Sequence, residues 1–156
     1  MTTTDADKKA WSFLATEENY RIVRDLQMKN MIIPLVGDFA GPKAIRKVAE
    51  YVSQHNAIVS AFYLSNVEYY LSPVGGGNDA TTQRFYENAA ALPMDSSSLF
   101  IRFVGSPQAG NLHWWRGGWL QTVSPMVDLR DKVKAGVKLT YPDALQLIPD
   151  PKSLMP

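Results

Sequence analysis

The sequence contains no cysteine. That absence excludes disulfides, thiolate catalysis and cysteine metal sites. Only two histidines are present, His55 and His113. Far apart and without cysteine, they do not make a zinc site, and no metal is expected. An excess of charge is also missing. Sixteen Lys and Arg face fifteen Asp and Glu, for a net charge of +1. Such a chain projects no strong field, so neither nucleic acid nor an anionic membrane is an expected partner. No apolar run approaches the roughly 20 residues of a membrane span. Residues Met1 to Lys9 have no apolar core and do not read as a secretion signal. A cytoplasmic protein is expected. The G-x-G-x-x-G fingerprint and the G-x-S-x-G elbow are absent as well, which removes support for a dinucleotide fingerprint and for a serine-hydrolase triad.

What is present is a globular composition: 156 residues, 46% apolar and 20% charged. The length suits one domain over residues 1–156, with loose ends at 1–10 and 149–156. Trp11, Phe13 and Leu14 offer an apolar foothold. Thr16-Glu17-Glu18 reads as a helix start, a hydroxyl cap followed by first-turn carboxylates. The helix should run to about Lys29, with Tyr20, Val23 and Leu26 or Ile22 inward.

Met31-Ile-Ile-Pro-Leu-Val36 then reads as a short buried strand, with Pro34 hinting at an edge. Gly37 to Gly41 form a turn, and Pro42 opens a helix that carries Ile45, Val48, Ala49 and Val52 on one face. Ala57 to Tyr63 is nearly continuous in apolarity, as a strand of a parallel sheet buried on both faces requires. Ser65-x-x-Glu68 has capping-box spacing before a short helix. Pro73 to Asp79 reads as a flexible glycine-rich linker or lid. A helix follows from Thr81 or Thr82 to Leu92, with Phe85, Ala89 and Leu92 on one side. Leu99 to Val104 is a third strand, with Arg102 inside it. Helices are expected over Met126–Ala135, closed by Gly136, and over Thr140–Leu147. The conformation of His113-Trp-Trp-Arg-Gly-Gly-Trp119 is not legible. The fold class expected is α/β, a short, mostly parallel sheet with helices on both faces.

In such sheets ligands bind at the carboxyl ends of the strands. Two polar strand ends stand out. At Gly37-Asp38-Phe39, Asp38 either accepts hydrogen bonds from a ligand near helix amides or caps its own turn, and the two accounts are level. At the second end, Ser65 and Glu68 are most simply a capping box. Asn66 is then left as an amide edge suited to a polar ligand. Glu68 is also a candidate general acid or base. Neighbouring parallel strands would bring Asp38 and Asn66 together. Arg102 is costly in an apolar strand unless paired; it either reaches Asp38 or Glu68 across the sheet end or sits on an exposed edge. His55 suits a helix C-terminus. His113, with Trp114 and Trp115, reads either as a stacking surface or as core or interface.

Phe13-Leu-Ala-Thr-Glu-Glu-Asn19, Val36-Gly-Asp-Phe-Ala-Gly-Pro-Lys-Ala44 and Ala61-Phe-Tyr-Leu-Ser-Asn-Val-Glu-Tyr-Tyr-Leu71, with Ala91-Leu-Pro93 and Ser98-x-Phe-Ile-Arg102, resemble the signature of a bacterial family of uncharacterised proteins. The fold of that family is similar to that of S-adenosylmethionine-dependent methyltransferases. The resemblance implies a Rossmann-like, methyltransferase-like sheet and makes S-adenosylmethionine the cofactor to consider. It matches the C-terminal half of the family pattern. The half carrying a glycine-rich strand turn and an acidic strand end, where the cofactor would be gripped, has no counterpart here. A fragment, a split protein completed by another chain, and a reduced member all fit that departure.

The leading expectation is a methyltransferase-like domain that binds a small polar or nucleoside-like ligand through Gly37, Asp38, Phe39, Ser65, Asn66 and Arg102. Glu68 is its candidate acid or base. Alignment of donor and acceptor is the main task in methyl transfer, so a base is dispensable. The competing expectation is a non-catalytic binding or assembly module that works through Trp114, Trp115, Trp119 and an open sheet edge. Its partner would be a second copy or a complementing chain.

Overall fold

The structure, a computed structural model, describes residues 7–10, 12–105 and 119–148. The chain divides between Val36 and Gly37 into two units.

In the first unit, helix α1 spans Glu17–Met28. Thr16 caps it as the sequence suggests, its hydroxyl accepting from the Asn19 amide at 3.1 Å. The expected inward face is not buried. Tyr20, Ile22 and Leu26 are exposed, and α1 has no buried residue. Phe13 and Leu14 are exposed too. Met31–Val36 is no strand: its six residues are exposed and in no ladder. Pro34 deletes one donor from this short run, and a strand without a paired neighbour has nothing to bury.

The second unit begins at the Gly37–Pro42 turn. Helix α2 (Ala44–Gln54) buries Ile45 and Ala49, while Val48 stays exposed. Strand β1 (Ala61–Ser65) starts four residues later than the apolar run from Ala57 does. Helix α3 (Val67–Leu71), a 3-10 turn (Pro73–Gly75) and helix α4 (Asp79–Ala90) carry the chain over to β2 (Leu99–Gly105). Strand β3 (Trp119–Pro125), helix α5 (Met126–Lys134) and helix α6 (Tyr141–Leu145) follow. Asn78 caps α4 by accepting from the Thr81 amide, and a Thr140–Asp143 capping box opens α6.

The sheet has the order β1-β2-β3. Strands β1 and β2 run parallel, with Ala61 opposite Leu99 and Tyr63 opposite Ile101. Strands β2 and β3 run antiparallel from the Leu99–Pro125 pair to the Gly105–Trp119 pair. The longer ladder is therefore antiparallel, and the fold is mixed α/β rather than mostly parallel. Two facts of the chain bring this about. Met31–Val36 adds no parallel strand, and Trp119–Pro125 adds an antiparallel one.

Phe100, Arg102 and Val104 point to the buried face of β2. There Phe100 joins Phe85, Tyr86 and Ala89 of α4 and Met126 and Leu129 of α5 in one core. On the other face Tyr63 and Leu99 are exposed, so the core of this unit lies on one side of its sheet rather than both.

The glycine run is not a linker. A Cβ on Gly77 would overlap the Leu71 carbonyl, and Gly76 takes a left-handed φ of 96°. The amides of Gly77 and Asn78 close back on Ser72 and Leu71. This turn seats α4 against α3. Gly77→Ala should therefore cost about 1–3 kcal/mol in urea unfolding. An unchanged midpoint would restore the linker reading.

Candidate functional site

The carboxyl end of β1 is irregular. The ladder to β2 slips between Tyr63 and Ser65, which sets Ser65 opposite Arg102. Ser65 has a φ of 51°. A left-handed serine costs on the order of 1–2 kcal/mol and persists where the surroundings over-determine it.

The surroundings here are a buried ion pair. Arg102 Nε donates to Glu68 Oε2 at 2.8 Å, with side-chain exposures of 1% and 4%. Arg102 Nη1 donates to the Ser124 hydroxyl of β3. The guanidinium also lies 4.4 Å from the centre of the Phe100 ring, a cation–π contact. Strand β2 presents Arg102 inward because it alternates with Phe100 and Val104. Helix α3 presents Glu68 because it starts immediately after the bulge. The Ser65–Glu68 capping box does not form: Asn66 is the N-cap residue of α3 and makes no side-chain cap bond. The carboxylate that fits the capping spacing is drawn to the buried cation instead, since an unpaired Arg102 would be far costlier than an uncapped five-residue helix.

Two tyrosines complete the cluster, Tyr86 of α4 and Tyr141 of α6. Burial, then the Glu68 carboxylate, pushes the Tyr86 phenol upward, with Arg102 opposing. The same causes push Tyr141 up to about 12. Both are therefore neutral hydroxyls at ordinary pH. The Tyr86 hydroxyl feels Glu68 without standing in hydrogen-bond alignment to it. Among the described residues, Glu68 Oε1, Arg102 Nη2, Thr122 Oγ1 and both tyrosine hydroxyls are buried without a hydrogen-bond partner. A buried polar atom left without a partner is costly, and a bound water or polar group would relieve that cost.

The other strand end is arranged differently. Asp38 Oδ1 accepts from the Ala40 amide at 2.9 Å, and its carbonyl accepts from Gly41. Asp38 thus braces its own turn. A Cβ on Gly37 would overlap that of Ala44, which explains the glycine by close packing. Phe39 sets its ring edge-on to Phe85 at 6.2 Å. From α4, Asn88 Nδ2 donates to the carbonyls of Phe39 and Gly41 at 3.0 and 2.8 Å. Arg84 Nε donates to the Ala40 carbonyl at 3.3 Å.

Of the residues singled out in the sequence, then, Ser65, Glu68 and Arg102 come together, with Asn66 beside them. Gly37, Asp38 and Phe39 form a separate, clamped turn. Arg102 meets Glu68, not Asp38. Asp38 and Asn66 do not end neighbouring strands, because Met31–Val36, before Asp38, is no strand. His55 caps α2 at its C-terminus, its Nδ1 lying 2.8 Å from the Tyr51 carbonyl. His113, Trp114 and Trp115 lie outside the described residues, and Trp119 opens β3. Among the described residues no group of three acidic or histidine side chains could hold a metal. No helix among them is long and apolar enough to cross a membrane.

Truncating one partner of the ion pair leaves a buried charge alone. Glu68→Leu and Arg102→Leu should each cost about 3–5 kcal/mol in urea unfolding, and the double variant clearly less than their sum. An additive double variant would show that the two groups do not depend on each other. The tyrosines give a separate test. A raised folded-state value means that stability present below pH 10 is lost as pH rises through about 12. Tyr141→Phe should flatten that alkaline limb in unfolding titrations, yet cost under about 1 kcal/mol at pH 7, since its hydroxyl has no partner to lose. A larger loss at pH 7 would reveal a partner.

No curated protein matches the chain. A family model described as "Domain of unknown function (DUF7790)" matches residues 1–144. That match takes in α1, the clamped turn, the strand end of β1 and the Glu68–Arg102 cluster, and on it the chain belongs to the DUF7790 family.

Proposed function

We propose that this chain is a methyltransferase-like, Rossmann-like domain of the cytoplasm that binds a small polar or nucleoside-like ligand at the carboxyl end of β1. The observation that carries the reading is the strained Ser65, held opposite Arg102 above a buried ion pair with orphaned polar atoms. Backbone strain of this kind gathers at ligand clamps. Asn66 is half-buried beside it. Among the described residues its carboxamide nitrogen has no protein partner, while Oδ1 takes a long 3.5 Å contact from Ser65. A free amide edge at a strand end suits a nucleobase or a similar polar group.

In this reading Glu68 and Arg102 are positioning residues. A carboxylate that is buried and ion-paired is poorly placed to trade protons with substrate, and methyl transfer asks mainly for alignment. Ser65 and Asn66 are the contacts. Gly37, Asp38 and Phe39 shape the separate turn that α4 clamps. S-adenosylmethionine is the cofactor to test, on the strength of the sequence resemblance.

A second reading, an assembly module, is favoured by the exposed Tyr63 and Leu99 on the sheet and by the exposed apolar residues of Met31–Val36. Its partner would be a second copy or a complementing chain. Isothermal titration separates the two. S-adenosylmethionine, S-adenosylhomocysteine or a nucleoside should give saturable heat. Asn66→Ala should weaken it about tenfold or more, with the melting temperature unchanged. No heat from folded protein, together with a dimer in sedimentation, would favour assembly.

A further inference from the structure

A second place in this unit has the chemistry of a binding site, and no residue of the Ser65–Arg102 cluster lines it. It is a cleft of about 340 Å³ between the Gly37–Pro42 turn and α4, lined by Ala40, Gly41, Pro42, Arg46, Arg84, Glu87 and Asn88. Small-ligand sites begin at about this size. Its floor is Asn88, which is 2% exposed. The Asn88 amide nitrogen holds the Phe39 and Gly41 carbonyls, and its oxygen accepts from Arg46 Nε at 2.9 Å. Arg84 is held the same way, Nε to the Ala40 carbonyl, with Nη2 touching Thr81 Oγ1 at 3.3 Å.

Each guanidinium is thus anchored through its inner nitrogen. Among the described residues, both outer nitrogens of Arg46 and Nη1 of Arg84 have no protein partner. Anchoring fixes the planes of the two forks and spares part of the ordering cost that free arginines would incur on binding. The charge in the cleft is also unbalanced. Two cations face one carboxylate, Glu87, which already accepts from Gln83 at 3.1 Å. Like charges held in one cleft repel, and an anion relieves that repulsion. A planar guanidinium with open N–H groups matches a phosphate or carboxylate edge.

We propose that this cleft binds the oxyanion group of a small ligand, with Arg46 and Arg84 as its two donors and the clamped turn as its wall. The test is a ¹H–¹⁵N NMR titration of the whole chain with inorganic phosphate, and in parallel with acetate, against sodium chloride of matched ionic strength. The expected result is saturable shifts of the Gly41 amide and of the Arg46 and Arg84 Nε–H groups. Tighter phosphate assigns a phosphoryl group, and tighter acetate a carboxylate. Arg46→Gln should weaken binding about tenfold, and Glu87→Gln should tighten it. Each variant also loses an anchoring bond, Arg46→Gln to Asn88 and Arg84→Gln to the turn, so both are read together with their melting temperatures. Shifts that chloride reproduces, or an Arg46→Gln affinity equal to that of the parent, would overturn the proposal. Neither result touches the Asn66 titration, so the two sites fail independently.

Discussion

Much of this unit depends on one buried contact, Arg102 to Glu68 at 2.8 Å. Moving either ion out of water costs several kcal/mol, and geometry has to offset that. Three elements supply it: β2 provides the Arg102 stem and the Phe100 ring, α3 the carboxylate, and β3 the Ser124 hydroxyl. The contact therefore fixes where α3 sits relative to the sheet. It also explains the bulge. For α3 to deliver Glu68 inward, β1 must end sharply, and a left-handed Ser65 makes that end.

The same contact explains what sequence patterns could not show. Strand β3 is hidden in the sequence because its inward face carries polar residues: Ser124 is buried, and the buried Thr122 hydroxyl has no partner among the described residues. Binary patterning reads polar alternation as solvent-facing, and here the polarity serves a cation inside. The spacing of Ser65 and Glu68 fits a capping box, but the structure puts the carboxylate on Arg102 thirty-four residues away. Local rules lose where a buried charge needs a partner. Tyr86 and Tyr141 gave no signal, since an aromatic residue at helical spacing reads as core, and most of each ring is core.

Other elements were legible for plain reasons. Phe85 and Ala89 on the inward face of α4, and Leu92 just past its end, follow the 3.6-residue period and are buried as that period demands. Gly136 closes the region after α5 with a φ of 76°. Arg102 was recognisable as a residue that needs a partner because burial of a lone guanidinium is prohibitive, though its partner was open between Asp38 and Glu68. Met31–Val36 fails in the opposite way. Its composition suits a strand, but a strand is made by its neighbour, and composition says nothing about whether a neighbour exists.

The two proposed sites of the unit differ in how their polar groups are held. Around Arg102 the donors are buried and, among the described residues, several polar atoms have no partner, so on the proposed reading a ligand would meet this fixed geometry at its rim, through Ser65 and Asn66. Around Asn88 every polar atom of the buried amide is matched, and the unmatched groups are the outer nitrogens of arginines that reach water. Hidden strain with orphaned atoms favours shape-specific contact, because any ligand must replace interactions in a low-dielectric place. Anchored surface cations favour charge recognition that added salt weakens. A ligand with a polar, base-like end and an anionic end would use both kinds of contact, provided its length matched the separation of the two sites. The salt dependence of its affinity would then reside in the arginine cleft, and its sensitivity to single-atom changes at Asn66.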